Sequence, residues 1–327
     1  KILGTGSFHP EKILSNQDLE KIVDTSDQWI TERTGMKERR IADPKKGEFT
    51  SELAKRASEK ALEMAGIDAQ EIDCIIFATS TPDYIMPNTA CILQEKLGIK
   101  NQCAAFDIVE ACAGFVYGLT MADSFIRTNF FKKILIVGAD VLSSKINYED
   151  RNSCILFADG AGAVIVGASP ANDESEIYGH VLKADAAGKE FIAVWAGGAV
   201  KPITEERLKN KEDRITLSGR ETFKMAVKTL ALNSQEVLEN AKMQAEQVDW
   251  LVPHQANLRI IEAAAKRMNF PMEKVIVNIE KYANTSAATI PTALDEAIRD
   301  GRVTRGQNLL FTAFGAGVTS GANLLKF

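Results

Sequence analysis

Apolar residues recur along this chain in two patterns, and each pattern predicts a different kind of element. From Thr50 to Ala65 they fall on one helical face and Gly66 follows, which predicts an amphipathic helix capped by Thr50 or Ser51. Short apolar runs predict buried strands instead. Strands that alternate with helices indicate an α/β protein whose mostly parallel sheets are covered on both faces. The predicted strands include 1–8, 74–78, 104–109, 133–138 and 275–277.

Two segments of the chain are similar to each other. Residues 61–73 align without a gap with residues 237–249, keeping Leu, Glu, Ala, Ala and Asp in register, and an apolar strand follows each. The repeat predicts two related halves, each an alternation of strands and helices. Residues 169–176 are rich in Pro, Asn and acidic side chains, so we place the boundary there and predict domains 1–172 and 173–327.

Two glycine-containing stretches are interpreted from their neighbours. Residues 159–163, Asp-Gly-Ala-Gly-Ala, stand between two apolar runs and predict a tight turn between strands. A phosphate-binding loop is disfavoured there because no Lys-Ser/Thr pair and no helical pattern follow. Residues 185–215 have no regular pattern, and a connection of that length is predicted to form a lid or wall over a site.

Composition and charge exclude several classes of protein. The chain has 327 residues and a net charge of −5, which argues against bulk nucleic-acid binding, and no apolar run is long enough to span a membrane. Its first residues predict a strand rather than a signal peptide. The five cysteines are odd in number without CxxC spacing, which disfavours zinc and disulfides and predicts a reducing, cytoplasmic setting. Only three histidines are available for catalysis.

Cys112 lies where a predicted strand passes into a predicted helix. Phe115, Leu119, Ala122 and Ile126 recur at helical spacing, so a helix is expected to follow and to run to around Asn129, and small residues stand on both sides of the cysteine. Unpaired N–H groups and the positive end of the helix dipole favour a thiolate at such a position, and a thiolate is the reactive form of cysteine. The alternative is a buried structural cysteine at a helix start, and the local sequence does not distinguish the two.

Three further segments follow predicted strands. His254 follows the strand 251–252, Asn284 follows the strand 275–277, and the Gly315–Gly317 turn offers backbone N–H groups. Each has an ordinary explanation on its own: a hydrogen-bonded structural histidine, an asparagine at a helix start and a glycine hairpin. Because ligand groups gather at the carboxyl ends of strands, and two related halves can face each other, these groups together with Cys112 predict one active site.

Two surface patterns suggest ligand contacts, although each has a simpler interpretation. Trp29 and Arg33 are four residues apart on a predicted helix, and an aromatic plane beside a guanidinium suits a ligand with a base and phosphates. A packed Trp with a solvated Arg is the simpler interpretation. Arg259, Lys266 and Arg267 share a helix face that suits an acidic protein partner, and a solvated helix face is the simpler interpretation there.

Six segments, taken together, resemble one known family in their order and spacing. The sequence is similar to β-ketoacyl-acyl carrier protein synthase III, a condensing enzyme of the thiolase superfamily, over essentially the whole chain. The resemblance implies an α/β protein with a thiolase-like αβαβα five-layer fold and an internal duplication, in agreement with the repeat. The segments are 26–35, 107–115, 159–163, 253–257, 284–286 and 314–317.

The resemblance implies a decarboxylating Claisen condensation catalysed by an acyltransferase. Cys112 would take the acyl group of an acyl-CoA primer, acetyl-CoA or another short one, while backbone N–H groups of Cys112 and Ala316 hold the oxyanion. His254 and Asn284 would then stabilise the enolate of malonyl-acyl carrier protein as carbon dioxide leaves. The 3-ketoacyl-carrier protein product would initiate fatty-acid synthesis. The family implies a coenzyme A thioester as substrate, no metal and no permanently bound cofactor.

The resemblance also implies binding residues and partners. It describes a cytoplasmic, multifunctional homodimer that works with acyl carrier protein and with neither nucleic acid nor membrane. The implied coenzyme A contacts are Thr25, Trp29, Arg33, Arg151, Gly219 and Asn257. The implied acyl-pocket residues are Phe157, Phe223 and Met86, the last reaching into the other subunit. The implied carrier-protein docking residues are Lys224, Arg259, Lys266 and Arg267.

Other assignments stay open on the sequence. A starter-unit condensing enzyme of polyketide or secondary metabolism would keep the same three catalytic residues. A thiolase is disfavoured by the lack of a second catalytic cysteine, and hydroxymethylglutaryl-CoA synthase by the lack of a Glu at the required position. The retained triad disfavours a non-catalytic carrier-protein binder. Ser320 and Ala316 stand where many members have Trp and some have Gly, and the length and branching of the primer are undetermined.

Overall fold

The computed structural model describes residues 1–327 as an α/β protein of thirteen strands and eleven helices. The strands are β1 Ile2–Phe8, β2 Ile13–Ser15, β3 Glu38–Arg40, β4 Cys74–Ala78, β5 Ala104–Ile108, β6 Lys133–Val141, β7 Asp159–Gly167, β8 Glu176–Ala184, β9 Ile192–Ala193, β10 Thr216–Leu217, β11 Trp250–Pro253, β12 Asn308–Phe314 and β13 Thr319–Lys326. The helices are α1 Asn16–Leu19, α2 Asp27–Thr34, α3 Thr50–Ala65, α4 Thr89–Lys96, α5 Gly114–Arg127, α6 Arg151–Cys154, α7 Glu205–Lys209, α8 Gly219–Asn240, α9 Leu258–Arg267, α10 Ile279–Tyr282 and α11 Thr289–Arg299. None of these helices is both long enough and apolar enough to cross a bilayer.

Two mixed sheets form the centre of the molecule. The first has the order β1-β7-β6-β4-β5 and the second the order β11-β12-β13-β8. The pairs β4–β5, β4–β6 and β11–β12 are parallel, whereas β1–β7, β6–β7, β12–β13 and β8–β13 are antiparallel. The prediction of mostly parallel sheets is therefore wrong. Residues 315–318 return the chain from β12 directly into β13, and so short a connection joins antiparallel neighbours because parallel strands need a long crossover.

Helices cover both sheets and also separate them. α3 and α4 pack on the outer face of the first sheet, and α8 and α9 pack on the outer face of the second. α5 and α11 lie between the sheets and contribute to one continuous apolar core with residues of both. The order of layers is therefore helix, sheet, helix, sheet, helix, the αβαβα arrangement predicted from the resemblance.

The internal repeat is visible in matching backbone contacts. Asp73 precedes β4, donates its N–H to Lys133 O at 3.0 Å and accepts the Lys132 N–H on its carboxylate at 2.8 Å. Asp249 precedes β11, donates its N–H to Asn308 O at 2.9 Å and accepts the Asn308 N–H on its carboxylate at 2.7 Å. The repeated Asp thus ties the start of one strand to its neighbour in each sheet, the interior strand β4 in the first and the edge strand β11 in the second.

The predicted helix Thr50–Ala65 is confirmed, and Gly66 ends it in the left-handed conformation with φ 64°. Its predicted cap is wrong, because Phe49 occupies the N-cap position without a side-chain cap bond, and the Asp83 carboxylate accepts the Ser51 N–H at 3.0 Å instead. The Thr50 hydroxyl instead donates to Thr81 O at 2.6 Å, which fixes the helix to the turn after β4.

Residues 159–163 do not form a turn; they lie within the continuous strand β7. Glycine is needed there for close packing rather than for backbone conformation. A Cβ on Gly160 would lie 2.8 Å from His9 Nδ1, and a Cβ on Gly162 would lie 2.7 Å from Pro291 Cγ. The predicted turn is therefore wrong because the glycines make room for neighbours that are distant in the chain.

Two further strand predictions need correction. β5 is an edge strand, so its residues are half-buried rather than buried, and Val109 beyond it is 72% exposed. Residues 275–277 do not form a strand, because only Val275 bridges to Leu251. The chain nevertheless runs beside β11 at this point, since Ile276 donates its N–H to Leu251 O at 2.9 Å.

Candidate active site

A cavity of about 1300 Å³ opens at the carboxyl ends of β5, β11 and β12. It is lined by apolar side chains and by several convergent polar groups, as is usual for a ligand site. The structure brings Cys112, His254 and Asn284 together on its wall. The other predicted residues that line it are Trp29, Arg33, Phe157, Gly219, Phe223, Lys224, Asn257, Arg259 and Ala316.

Cys112 lies in a short helical turn, Ala111–Ala113, that leads directly into α5. Ala111 has φ 45°, a conformation that costs a non-glycine residue on the order of 1–3 kcal/mol and that clusters at functional sites. Gly315 packs against this turn so closely that a Cβ on it would lie 2.9 Å from Cys112 N. The strained turn thus presents the cysteine to the cavity with the C-terminal glycine turn beside it.

The Cys112 thiol is neutral at rest, contrary to the thiolate that its helix position predicted. Burial raises its pKa to about 12, hydrogen bonds from Ser286 and Asn284 offset part of that rise, and the Asp140 charge adds to it. Desolvation therefore outweighs the helix N-terminus, whose effect extends only over the first turn.

Asn284 is held by backbone bonds to the first half of the chain. Its N–H donates to Leu156 O at 3.0 Å, and its carbonyl accepts the Ala158 N–H at 2.9 Å. Its side-chain oxygen accepts the Ser286 N–H at 2.8 Å. Since that oxygen is occupied, the side-chain NH₂ group is the part of the amide that can donate to a ligand.

His254 directly follows β11 and is 1% exposed. Its backbone N–H donates to Thr312 O at 2.9 Å, and its ring Nδ1 lies 2.7 Å from the Thr289 hydroxyl. Burial lowers the pKa of the imidazole to about 3. The ring is therefore neutral near pH 7, with one protonated nitrogen, and Nε2 has no partner in the protein.

The glycine turn after β12 offers a backbone donor. Gly315 uses its N–H on Thr319 O at 2.8 Å, whereas the N–H groups of Ala316 and Cys112 donate to no backbone carbonyl. Val318 and Asp185 exchange two backbone bonds of 2.9 and 2.8 Å. The turn is therefore fixed to the start of the 185–215 connection, part of which lines the cavity as the sequence predicted.

Trp29 on α2 marks the outer end of the cavity. The guanidinium carbons of Arg33 and Arg151 each lie 4.7 Å from its ring centroid. Arg151 also donates to Asp24 O at 2.8 Å. Asn257 caps α9 and donates to Arg33 O at 3.0 Å, which joins this aromatic and basic cluster to the segment that carries His254.

Five predicted residues do not line the cavity. Arg151 reaches it only through Trp29, and the buried Thr25 hydroxyl has no hydrogen-bond partner. Met86 is 84% exposed in the loop after β4. Lys266 and Arg267 are exposed at the far end of α9, whereas Arg259 lies at the mouth with its guanidinium carbon 5.8 Å from the Phe223 ring centroid.

Sequence reasoning missed two residues of the site. Ser286 stood in a recognised segment without a role, yet it lines the cavity, hydrogen-bonds Cys112 and has φ 55°. Thr289 contacts the imidazole of His254, and nothing in the sequence pattern pointed to it.

Comparison with known proteins agrees with this geometry. Residues 106–186 match the family model 3-oxoacyl-[acyl-carrier-protein (ACP)] synthase III, and residues 238–327 match the model of its C-terminal part. The β-ketoacyl-[acyl-carrier-protein] synthase III of Caldanaerobacter subterraneus subsp. tengcongensis is 49% identical over 326 residues, which cover 100% of this chain and 97% of the relative.

Solved structures show the same similarity. The crystal structure of 3-oxoacyl-[acyl-carrier-protein] synthase III from Aquifex aeolicus VF5 has a TM-score of 0.92 at 46% identity, covering 100% of this chain and 99% of that one. The priming β-ketosynthase of the R1128 polyketide biosynthetic pathway has a TM-score of 0.91 at 31% identity, covering 100% and 96%.

A thiolase-like fold with a cysteine, a histidine and an asparagine in one cavity defines the class of condensing acyltransferases. The chain belongs to the 3-oxoacyl-[acyl-carrier-protein] synthase III family. The predicted family, fold class and enzyme class are confirmed. The predicted reaction, condensation of an acyl-CoA primer with malonyl-acyl carrier protein to initiate fatty-acid synthesis, is confirmed as well.

Proposed function

We propose that Cys112, His254 and Asn284 divide this condensation into two half-reactions in one cavity. The observation that carries the proposal is the convergence of a half-buried thiol and two hydrogen-bonding side chains on the wall of one cavity. In the first half-reaction, the Cys112 sulfur attacks the carbonyl carbon of the acyl-CoA. The carbon–sulfur bond to coenzyme A breaks, and the thiol proton ends on the departing coenzyme A sulfur.

In the second half-reaction, malonyl-acyl carrier protein enters the cavity that coenzyme A has left. His254 and Asn284 donate hydrogen bonds to its thioester oxygen, where negative charge develops as the carbon–carbon bond to carbon dioxide breaks. The enolate carbon attacks the acyl carbonyl on Cys112, and the cysteine sulfur leaves and is reprotonated. A buried, neutral imidazole suits this role because it donates a hydrogen bond without carrying a charge.

The backbone N–H groups of Cys112 and Ala316 form the oxyanion hole for both acyl transfers. Both are uncommitted to backbone carbonyls, and the Gly315 contact brings their two turns together. Every step is carried by side-chain and backbone groups with a coenzyme A thioester as substrate, so the proposal includes no metal and no resident cofactor.

Coenzyme A lies along the outer part of the cavity, with its adenine against Trp29. Arg33 and Arg151 flank that ring, and Asn257 and Gly219 line the passage between it and the reacting end. Phe157 and Phe223 border the acyl group. Thr25 supports the Trp29 end from outside the cavity lining.

The active unit is a homodimer. Tyr84, Ile85 and Met86 are 63%, 84% and 84% exposed in one loop, and Val109 beside the edge strand β5 is also exposed. Such a group of large apolar side chains suits a second copy of the chain, with Met86 entering the other subunit's acyl pocket. Sedimentation of the purified chain tests the dimer, and a monomer with full activity contradicts it.

Acyl carrier protein docks on a basic face at the mouth of the cavity. Lys224 and Arg259 line that mouth, and Lys266 and Arg267 extend the positive face along α9. The chain divides into halves 1–172 and 173–327, in line with the two sheets. Its five free cysteines suit a reducing, cytoplasmic setting.

Acylation of Cys112 is the direct test. The purified protein is mixed with acetyl-CoA, and the mass of the Cys112 peptide is measured; we expect one acetyl group on Cys112 and none in Cys112→Ser. An unmodified peptide in the wild-type protein contradicts the proposal.

Similarity to the priming β-ketosynthase of a polyketide pathway keeps starter-unit synthesis as the second candidate function. Straight, branched and longer acyl-CoAs, each tested with malonyl-acyl carrier protein, distinguish the two. A clear preference for acetyl-CoA supports fatty-acid initiation, and a preference for longer or branched primers with little use of acetyl-CoA supports the alternative.

A further inference from the structure

The Thr289 hydroxyl is the only side-chain partner of the catalytic imidazole. Its oxygen lies 2.7 Å from His254 Nδ1 and 3.0 Å from Ser286 O. Both contacts are buried, so no water competes for them. His254 Nε2 is the nitrogen left for a substrate in the cavity.

One proton on that hydroxyl decides which ring nitrogen is protonated. A hydroxyl donates a single hydrogen bond, and a carbonyl oxygen only accepts. If the hydroxyl donates to Ser286 O, Nδ1 must carry the proton of the neutral ring, and Nε2 then presents a lone pair to the cavity. If it donates to Nδ1 instead, Nε2 carries the proton and can donate to a developing oxyanion.

Two observations favour donation to the imidazole. The contact with Nδ1 is the shorter of the two. Ser286 O already accepts the backbone N–H of Thr289, so it does not depend on the hydroxyl.

We propose that Thr289 is a positioning residue that holds His254 in the Nε2–H tautomer and thereby makes it a donor to the malonyl thioester oxygen. The inference rests on the role proposed above for His254. The segment 284–289 then orients both catalytic donors: the Ser286 N–H fixes the Asn284 amide, and the Thr289 hydroxyl fixes the imidazole.

Thr289→Val removes the hydroxyl at nearly constant shape, and Thr289→Ser keeps it. Thr292→Val is the matched control, because Thr292 is an equally buried threonine of α11 whose hydroxyl bonds only Thr289 O, at 3.1 Å. For each variant, acylation of Cys112 by acetyl-CoA and release of carbon dioxide from malonyl-acyl carrier protein are measured separately.

We expect Thr289→Val to slow decarboxylation about ten- to a hundredfold, less than the loss of a donor outright, and to leave acylation within about twofold. Thr289→Ser restores decarboxylation, and Thr292→Val leaves both half-reactions within about twofold of wild type. Equal loss of both half-reactions in Thr289→Val, or failure of Thr289→Ser to rescue, overturns the inference.

The tautomer itself is read by ¹⁵N-histidine NMR on the unmutated protein, whose three histidines make assignment by His254→Ala simple. We expect protonated Nε2 and unprotonated Nδ1, and the reverse pattern overturns the inference whatever the variants do. This readout does not require turnover. A wild-type protein that fails to take an acetyl group would contradict the proposed function and leave the tautomer result intact.

Discussion

Corresponding strand ends are used in opposite ways in the two sheets. After β4, the polar groups converge on one buried carboxylate, since Asp140 accepts hydrogen bonds from the hydroxyls of Thr79 and Thr81 and from two backbone N–H groups. After β11, His254 bonds to the protein through Nδ1 and leaves Nε2 facing the cavity. The duplicated fold places polar groups after corresponding strands in both sheets. Such a group can take part in a reaction when one of its atoms is left unpaired toward solvent or substrate.

The largest expected effect comes from removing the two side-chain donors in the cavity, His254 after β11 and Asn284 after α10. His254→Ala and Asn284→Ala should each slow decarboxylation of malonyl-acyl carrier protein about 10²–10³-fold, because each deletes one hydrogen bond to the developing oxyanion. Acylation of Cys112 by acetyl-CoA, followed by mass spectrometry, should continue in both. Equal loss of the two half-reactions in His254→Ala would contradict this division of roles.

The corresponding change after β4 should affect stability rather than chemistry. Asp140→Ala leaves three buried donors and one part-buried donor without an acceptor, so we expect the free energy of unfolding, measured in urea, to fall by about 2–3 kcal/mol. Asp140→Asn keeps one acceptor oxygen and should lose less than half as much. A stable Asp140→Ala protein with selective loss of decarboxylation would contradict this contrast, because it would give the group after β4 a role in the reaction as well.

The thiol of the first half should respond to pH as a neutral group. The folded pKa of Cys112 is about 12, compared with 9.0 for an unperturbed thiol, so the thiolate fraction should rise tenfold for each pH unit between pH 7 and 10. Iodoacetamide labelling of the Cys112 peptide should follow the same slope in the folded protein and level off near pH 9 in the denatured protein. A plateau below pH 8 in the folded protein would instead indicate a stabilised thiolate.

The smallest expected effect lies at the outer end of the cavity. Trp29→Ala should raise the KM for acetyl-CoA about three- to tenfold with little change in kcat, since it removes a half-buried stacking surface flanked by two guanidinium groups. Trp29→Phe keeps an aromatic face, so its KM for acetyl-CoA should lie between the values of the wild-type protein and of Trp29→Ala. A large fall in kcat for Trp29→Ala would place this residue closer to the chemistry than the structure does.

Elements whose residues contact the core from one face could be predicted from the sequence. The helix Thr50–Ala65 follows from its apolar spacing and terminal glycine, and the repeated Asp73 and Asp249 pointed to the duplication. β7 was misread because the glycines at 160 and 162 make room for His9 and Pro291, which are distant in sequence. The pattern of apolar and polar residues reflects contacts within a segment, whereas His9 and Pro291 reach β7 from distant segments of the chain.

The candidate active site also divides into features that the local sequence predicts and features that depend on tertiary contacts. Cys112, His254 and Asn284 were found from strand ends and from the family resemblance. The neutral state of the thiol was not, because desolvation depends on the finished tertiary structure. Thr289 was not found either, since a threonine in the first turn of a helix has no feature that reveals a contact 35 positions away.

The short ladder that joins Asn284 to residues 156–158 also has a consequence for how the molecule assembles. Contacts between distant positions form late, because a long loop must close before they contribute stability. We therefore expect the Asn284 amide to reach its place only after the two sheets have docked around α5 and α11. Recovery of decarboxylation during refolding should thus report completion of the fold more strictly than recovery of helix content does.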